Sequence, residues 1–306
     1  MNTNTNNDSP KAALGAEVSY RITHTTIYKY EEAVSTCYNI AKLIPRDTLG
    51  QTCNSAVVTI HPTPDGINEY EDFFGNKVFY FSIQDEHEDL TVTVTSEVNK
   101  AAIDGIEYEN LLWEDVHAML TAPDAQFLDA RQYIPATPFT TANKEITAYA
   151  LQSFTSGRSM FEAVYDLMQR IFKDFTFKSG VTTISTPLSV VMKERRGVCQ
   201  DFAHLAIACV RAVGLPARYV SGYIETLPTE GKEKLFGADA SHAWFSVFIP
   251  ETGWIDFDPT NNQIPSSQHI TIGWGRDYFD IAPLKGVILS SGTHRLSVSV
   301  DMRRIN

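Results

Sequence analysis

Three residues of this 306-residue chain have types and surroundings suited to nucleophilic chemistry: Cys199, His242 and Asp258. A thiolate attacks, an imidazole activates it and returns a proton to the leaving group, and a carboxylate orients the imidazole. Cys199 lies in RRGVCQDFAHLAIACVRAVGLPARYVSGYIE (195–225); His242 and Asp258 lie in SHAWFSVFIPETGWIDFDPT (241–260).

Each candidate falls where a recognisable element begins or ends. From Phe202, the apolar residues Leu205, Ala206, Cys209, Val210 and Val213 repeat at helical spacing. Gly214 and Pro216 then stop the helix. Cys199 therefore falls in the first turn, where the helix dipole and free N–H groups stabilise a thiolate. Gly197 is expected to let the chain turn into the helix, and the polar neighbours Gln200 and Asp201 argue against burial. Cys209, on the apolar stripe, is expected to be an inert core residue.

His242 opens an alternating run to Ile249, and a second run, Trp254 to Asp258, ends at Pro259. This predicts an antiparallel hairpin with His242 and Asp258 at its open end. Register decides whether they meet. An unbulged four-residue turn would pair Ile249 with Trp254 and turn the two away from each other. A five-residue turn, 249–253, pairs Phe248 with Trp254 and Trp244 with Asp258, leaving His242 and Asp258 diagonal neighbours about 7–8 Å apart at the backbone. The second register, or an equivalent bulge, is the expectation.

Other residues compete for these roles. Asp256 shares a strand face with Asp258 and is a weaker candidate for the orienting acid. His204 points to another side of the helix, which suits packing or hydrogen bonding. Arg195 and Arg196 are expected to make surface ion pairs, and Trp244 and Trp254 to line a cleft or the core. His24, His61, His87, His117, His269 and His294 show no ligand-like clustering. With neither a zinc signature nor an EF-hand loop, no metal or cofactor is expected.

The two segments resemble the transglutaminase-like superfamily of cysteine enzymes, in which Cys, His and Asp occur in this order on a helix followed by a sheet. The resemblance puts the nucleophile on Cys199, the base on His242 and the orienting acid on Asp258. YRITHTTIYKY, the pair Pro45-Arg46 and DFFGNKVFYFSI resemble the β-rich domain that precedes the core in bacterial members. The closing DIAPLKGVILSSGTHRLSVSV resembles the end of those proteins. The implied fold is α+β: an N-terminal β-sandwich-like domain and a papain-like core. It implies a peptidase or amidase working through a thioester, with glutamine–lysine crosslinking, deamidation, acyl transfer from a small thioester and a non-catalytic binding module as alternatives. Some transglutaminases use an indole as second oxyanion donor, but residues 171–190 contain no Trp.

Composition bounds the rest. Hydrophobic content is 43% and charged content 20%, ordinary for a globular chain. A net charge of −12 disfavours nucleic acid and anionic membranes as partners. No apolar run approaches the ~20 residues of a membrane span. A peptide or protein substrate is the expected partner. Four cysteines make no disulfide framework, and with no secretory leader a cytoplasmic setting is expected. The expected division is a disordered tail (1–16), a β-rich domain (17–105), a linker with short helices (106–145) and the catalytic domain (146–306). The amphipathic pattern from Ser159 to Lys173 predicts a helix, Thr186-Pro187 a shorter one, and the loop 227–240 would border the site.

Overall fold

The computed structural model describes residues 11–226, 240–289 and 292–305. The first part is a two-sheet β-sandwich, and several of its strands have residues that alternate between core and solvent. β1 (Lys11–Val34), β3 (Gln51–His61) and β6 (His87–Glu107) form one sheet. β2 (Thr36–Ala41), β4 (Gly66–Glu71) and β5 (Lys77–Ile83) form the other. Phe79, Phe81 and Ile83 of β5 pack with Leu90, Val92 and Val94 of β6 in the layer between. The turn 72–76 joins β4 to β5, with Gly75 at φ 72° and the Asp72 carboxylate accepting from the amides of Phe74 and Asn76.

Three expected boundaries move. Residues 11–16 are not tail: they lie in β1, which pairs with β6, and residues 1–10 fall outside the described residues. The stretch 106–145 is not a linker. Its helices α1 (Trp113–Thr121) and α2 (Leu128–Arg131), with the 3-10 turn Ala125–Phe127 between them, bury Val116, Leu120, Phe127 and Ala130 in the core of the second half. Nor does the catalytic part run to the C-terminus. After the core come β13 (Leu284–Leu289), which pairs with β2, and β14 (His294–Arg304), which pairs with β1. The chain therefore closes on its own first domain.

The core packs helices against a four-stranded antiparallel sheet. α3 (Lys144–Leu151) is capped by Asn143 and α4 (Met160–Asp174) by Ser159, whose hydroxyl accepts from the Glu162 amide. Glu162 answers with its own side chain on Ser159. α5 (Leu188–Glu194) follows Pro187, as expected from Thr186-Pro187. Short strands β7 (Thr176–Phe177) and β8 (Arg196–Gly197) pair just before α6 (Cys199–Ala212). The sheet order is β11 (Gly253–Phe257), β10 (Ala240–Ile249), β9 (Ala217–Ile224), β12 (His269–Gly275).

α6 is more buried than an amphipathic stripe predicts: every residue from Asp201 to Arg211 is buried. It is a central helix, covered by α3, α4 and α5 as well as by the sheet. Two polar residues on it find partners inside the core, though the Arg211 Nε has none among the described residues. Arg211 donates to Thr140 and to the carbonyls of Ala217 and Arg276, and His204 accepts from the Tyr278 amide. Burial pushes the Cys209 thiol up to about 12, as suits a core residue. Cys209→Ala is expected to lower stability by about 1 kcal/mol without loss of activity, read from thermal unfolding and turnover on one preparation.

Candidate active site

The hairpin has the register that brings His242 and Asp258 together. Phe248 pairs with Trp254, and Phe245 with Phe257. Ile249 and Gly253 also pair, so three residues (250–252) make the turn, with Glu251 at φ 63° and Gly253 at φ 96°. Asp258 follows directly on the last residue of β11, opposite Trp244 by continuation of the ladder.

His242 Nε2 lies 2.8 Å from Asp258 Oδ2. The same ring is in hydrogen-bonding contact with the Cys199 side chain. The imidazole thus bridges sulfur and carboxylate. It is 7% exposed, Asp258 is 0% exposed, and Cys199 is half-buried at the start of α6. Burial by itself would lower the His242 pKa. The hydrogen bonds to Asp258 and Cys199, with their charges, outweigh it and hold the imidazole well above its usual 6.5.

Asp258 is held by five donors. Oδ2 accepts from His242, from His269 at 3.1 Å and from Asn261 Nδ2 at 2.7 Å. Oδ1 accepts from the amides of Thr260 at 2.9 Å and Asn261 at 3.3 Å. Burial would raise its pKa; the hydrogen bonds from His242 and His269 override that and keep the group ionised far below the usual carboxylate range.

His269 was not separable from the other histidines by spacing. It comes from β12, at the far edge of the sheet from β11, and nothing local in the sequence ties it to Asp258. Burial lowers its pKa, so a neutral imidazole donates through Nε2 to the carboxylate. Asn261 sits in the turn after Pro259, and its amide also approaches His242 Nε2 at 3.3 Å. Ligand atoms of His242, Asp258 and His269 lie within 4.8 Å of one another, the spacing of a metal group. Here both Nε2 atoms converge on one carboxylate oxygen as donors, which makes the trio a hydrogen-bond cluster in this structure.

The competing residues settle elsewhere. Asp256 accepts from the Trp244 indole N–H at 2.9 Å. Arg196 pairs with Glu194 at 2.8 Å, and Arg195 packs its guanidinium on Phe175. Asp201 differs from expectation: it is 3% exposed and caps α6 from within. Its Oδ2 accepts from the Val198 amide at 2.8 Å and from Thr182 at 2.7 Å. Gly197 serves this cap, because a β-carbon there would come within 2.7 Å of Asp201 Oδ2. At Gly222, opposite His242, a β-carbon would collide with the Ile270 carbonyl and the Trp244 ring. The expected bordering loop, 227–240, lies almost wholly outside the described residues.

Comparison with known proteins decides the family. Residues 20–99 match the bacterial transglutaminase-like N-terminal region and residues 147–259 the transglutaminase-like superfamily core. The chain belongs to the transglutaminase-like superfamily. An uncharacterized protein of Mycobacterium bovis is 40% identical over 291 residues, covering 92% of both chains. A protein-glutamine gamma-glutamyltransferase of Pseudomonas aeruginosa is 33% identical over 92 residues, 30% of this chain and 14% of that one. A solved structure from Cytophaga hutchinsonii, put forward as a cysteine protease, superposes with a TM-score of 0.76 at 21% identity, covering 97% of this chain and 93% of that one. It shares the fold. The transglutaminase-like core is that of a cysteine-dependent enzyme family, and Cys199, His242 and Asp258 all fall inside the matched span. Among the described residues no helix is long and apolar enough to cross a membrane.

Proposed function

We propose that the chain is a cysteine-dependent acyl-transfer enzyme for amide bonds in peptides or proteins, with Cys199 as nucleophile, His242 as acid–base group and Asp258 as orienting acid. The observation that supports this most is the bridging imidazole, bonded to the helix-start sulfur on one side and to a five-donor carboxylate on the other. The Cys199 sulfur attacks the carbonyl carbon. The C–N bond breaks, His242 gives its proton to the departing amine, and a thioester remains. Water then attacks the thioester while His242 takes its proton, releasing the acid and the thiolate. The Cys199 backbone N–H, at the free end of α6, is the natural first donor to the oxyanion.

Water is the favoured acceptor, because it is the default acceptor for a thioester and the sequence carries no amine-binding feature; residues 171–190 also lack the Trp that some transglutaminases use as an oxyanion donor. Transfer to an amine is the second reading, supported by the partial likeness to a glutamyltransferase. All four cysteines are free thiols, which suits the reducing, cytoplasmic setting included in this reading. Mass spectrometry of a peptide library incubated with the enzyme, with and without a primary amine, tests it. Cleaved or deamidated products that persist without amine support hydrolysis. Amine adducts in place of them would favour transfer, and no product of any kind would sink both. Thiol alkylation is expected to stop the reaction and EDTA to leave it unchanged; loss on chelation, restored by zinc, would show a metal requirement.

A further inference from the structure

β12, which carries His269, is an edge strand of the core sheet: β9 lies on one side of it, and no described strand lies on the other. An edge leaves every second residue's N–H and C=O without a strand to meet them. In β12 such groups are met by two carboxamides of the β-sandwich. Gln51, at the start of β3, accepts from the Thr271 amide at 2.9 Å and donates Nε2 to the Thr271 carbonyl at 2.7 Å. Asn76, in the turn between β4 and β5, accepts from the Trp274 amide at 2.9 Å and donates Nδ2 to the Trp274 carbonyl at 2.8 Å. Each side chain bonds as the peptide group of a neighbouring strand would.

The fit is built from both sides. Gln51 and Asn76 are buried. Gln51 Nε2 also donates to the Arg46 carbonyl at 2.7 Å, and Asn76 Nδ2 to Asp72 at 3.0 Å, so each carboxamide is steadied from its own domain. A β-carbon at Gly273 would come within 2.3 Å of Asn76 Oδ1, so a glycine lets the carboxamide reach the strand. A register shift between Thr271 and Gly273 sets the two clamped residues three apart rather than two. Ile270 and Ile272 of the same strand pack with Tyr20, Ile22 and Val98 of the sandwich.

From the clamp to the triad the path is short. His269 lies two residues from Thr271, on the same face of β12. Its Nε2 lies 3.1 Å from Asp258 Oδ2, the oxygen that also meets His242. We propose that Gln51 is a positioning residue for the candidate triad: through it the sandwich holds β12, and β12 holds His269 against Asp258. The catalytic consequence rests on the acyl-transfer reading. The β-sandwich is then part of the catalytic unit, and the Asp258 carboxylate is oriented from both domains.

The test uses the full chain. An imidazole N–H bonded to a carboxylate gives a proton resonance downfield of the backbone amides, and burial of His269 slows its exchange with water. Loss of the resonance in His269→Phe assigns it; its absence from the unaltered protein would overturn the proposal. In Gln51→Met, checked for folding by far-UV circular dichroism, the resonance is expected to shift or vanish. On a peptide found in the library assay, kcat is expected to fall at least about tenfold, with KM within about twofold of the unaltered value. A folded Gln51→Met with the His269 resonance unmoved would overturn the proposal, and so would a moved resonance with kcat unchanged. If the unaltered protein forms no product, the acyl-transfer reading falls by itself, and the resonance still decides whether Gln51 fixes His269 on Asp258. One arm needs no variant. The Thr271 and Trp274 amides are expected to exchange slowly with deuterium in spite of their edge position, and rapid exchange at either would overturn the clamp.

Discussion

Cys199→Ala is expected to abolish turnover, by about 10⁴-fold or more, while leaving the fold intact. The sulfur is half-buried at the helix start, outside the packed stretch Asp201–Arg211, so its removal opens no core cavity. The cap that holds this end of α6 is supplied by Asp201 and does not involve the thiol. The change in stability should therefore stay within about 1 kcal/mol. Turnover and thermal unfolding measured on the same sample separate the two effects. A folded Cys199→Ala protein with its activity retained would eliminate the thioester route altogether.

Asp258→Asn is expected to cost about 10³–10⁴-fold in rate and to change the shape of the pH profile. An asparagine has one acceptor and one donor group where Asp258 has two acceptors. If its oxygen faces the imidazoles, its NH₂ meets the amides of Thr260 and Asn261; if reversed, it meets His242 and His269. Either way, donors confront donors in a site with no solvent, and a loss of about 1–3 kcal/mol in stability follows. The sign of the pH effect comes from His242. Its pKa is raised in the folded protein, so the imidazolium persists above 6.5 and is lost as pH rises through the raised value. Removing the carboxylate lowers that value. The basic limb of activity should therefore move to lower pH in Asp258→Asn, and a basic limb that stays put would show that Asp258 does not act through His242.

Local patterns in the chain carried the Cys199 helix and the hairpin, because both are stabilised by contacts near in sequence. The run from Phe202 to Val213, closed by Gly214 and Pro216, has a single helical solution. The alternation through His242–Ile249 and Trp254–Asp258 allows two registers, and only one lets the histidine and aspartate meet. The amphipathic pattern from Ser159 to Lys173 marked α4 for the same reason. Three features depend on distant partners and left no such mark. His269 reaches Asp258 from the opposite edge of the sheet. β13 and β14 pair with β2 and β1, more than 240 residues away along the chain. Asp201 looks like a solvated helix-start residue until Thr182 and the tight approach at Gly197 enclose it. The helices around Val116 and Phe127 resembled a linker because their short helical patterns are mixed with Pro135 and Pro138, yet their apolar faces complete the core.

The four free cysteines supply internal controls for the central claim, that His242 activates Cys199 as a thiolate. Cys53 is half-buried like Cys199, Cys37 and Cys209 are buried, and burial raises the pKa of Cys53. The direct measurement is the rate of iodoacetamide alkylation at each cysteine near neutral pH, located by peptide mass spectrometry, in the unaltered protein and in His242→Ala. The expected result is labelling of Cys199 at least tenfold faster than Cys53, with that advantage lost in His242→Ala. Alkylation of Cys199 no faster than Cys53, or a rate indifferent to His242, would contradict the mechanism at its first step.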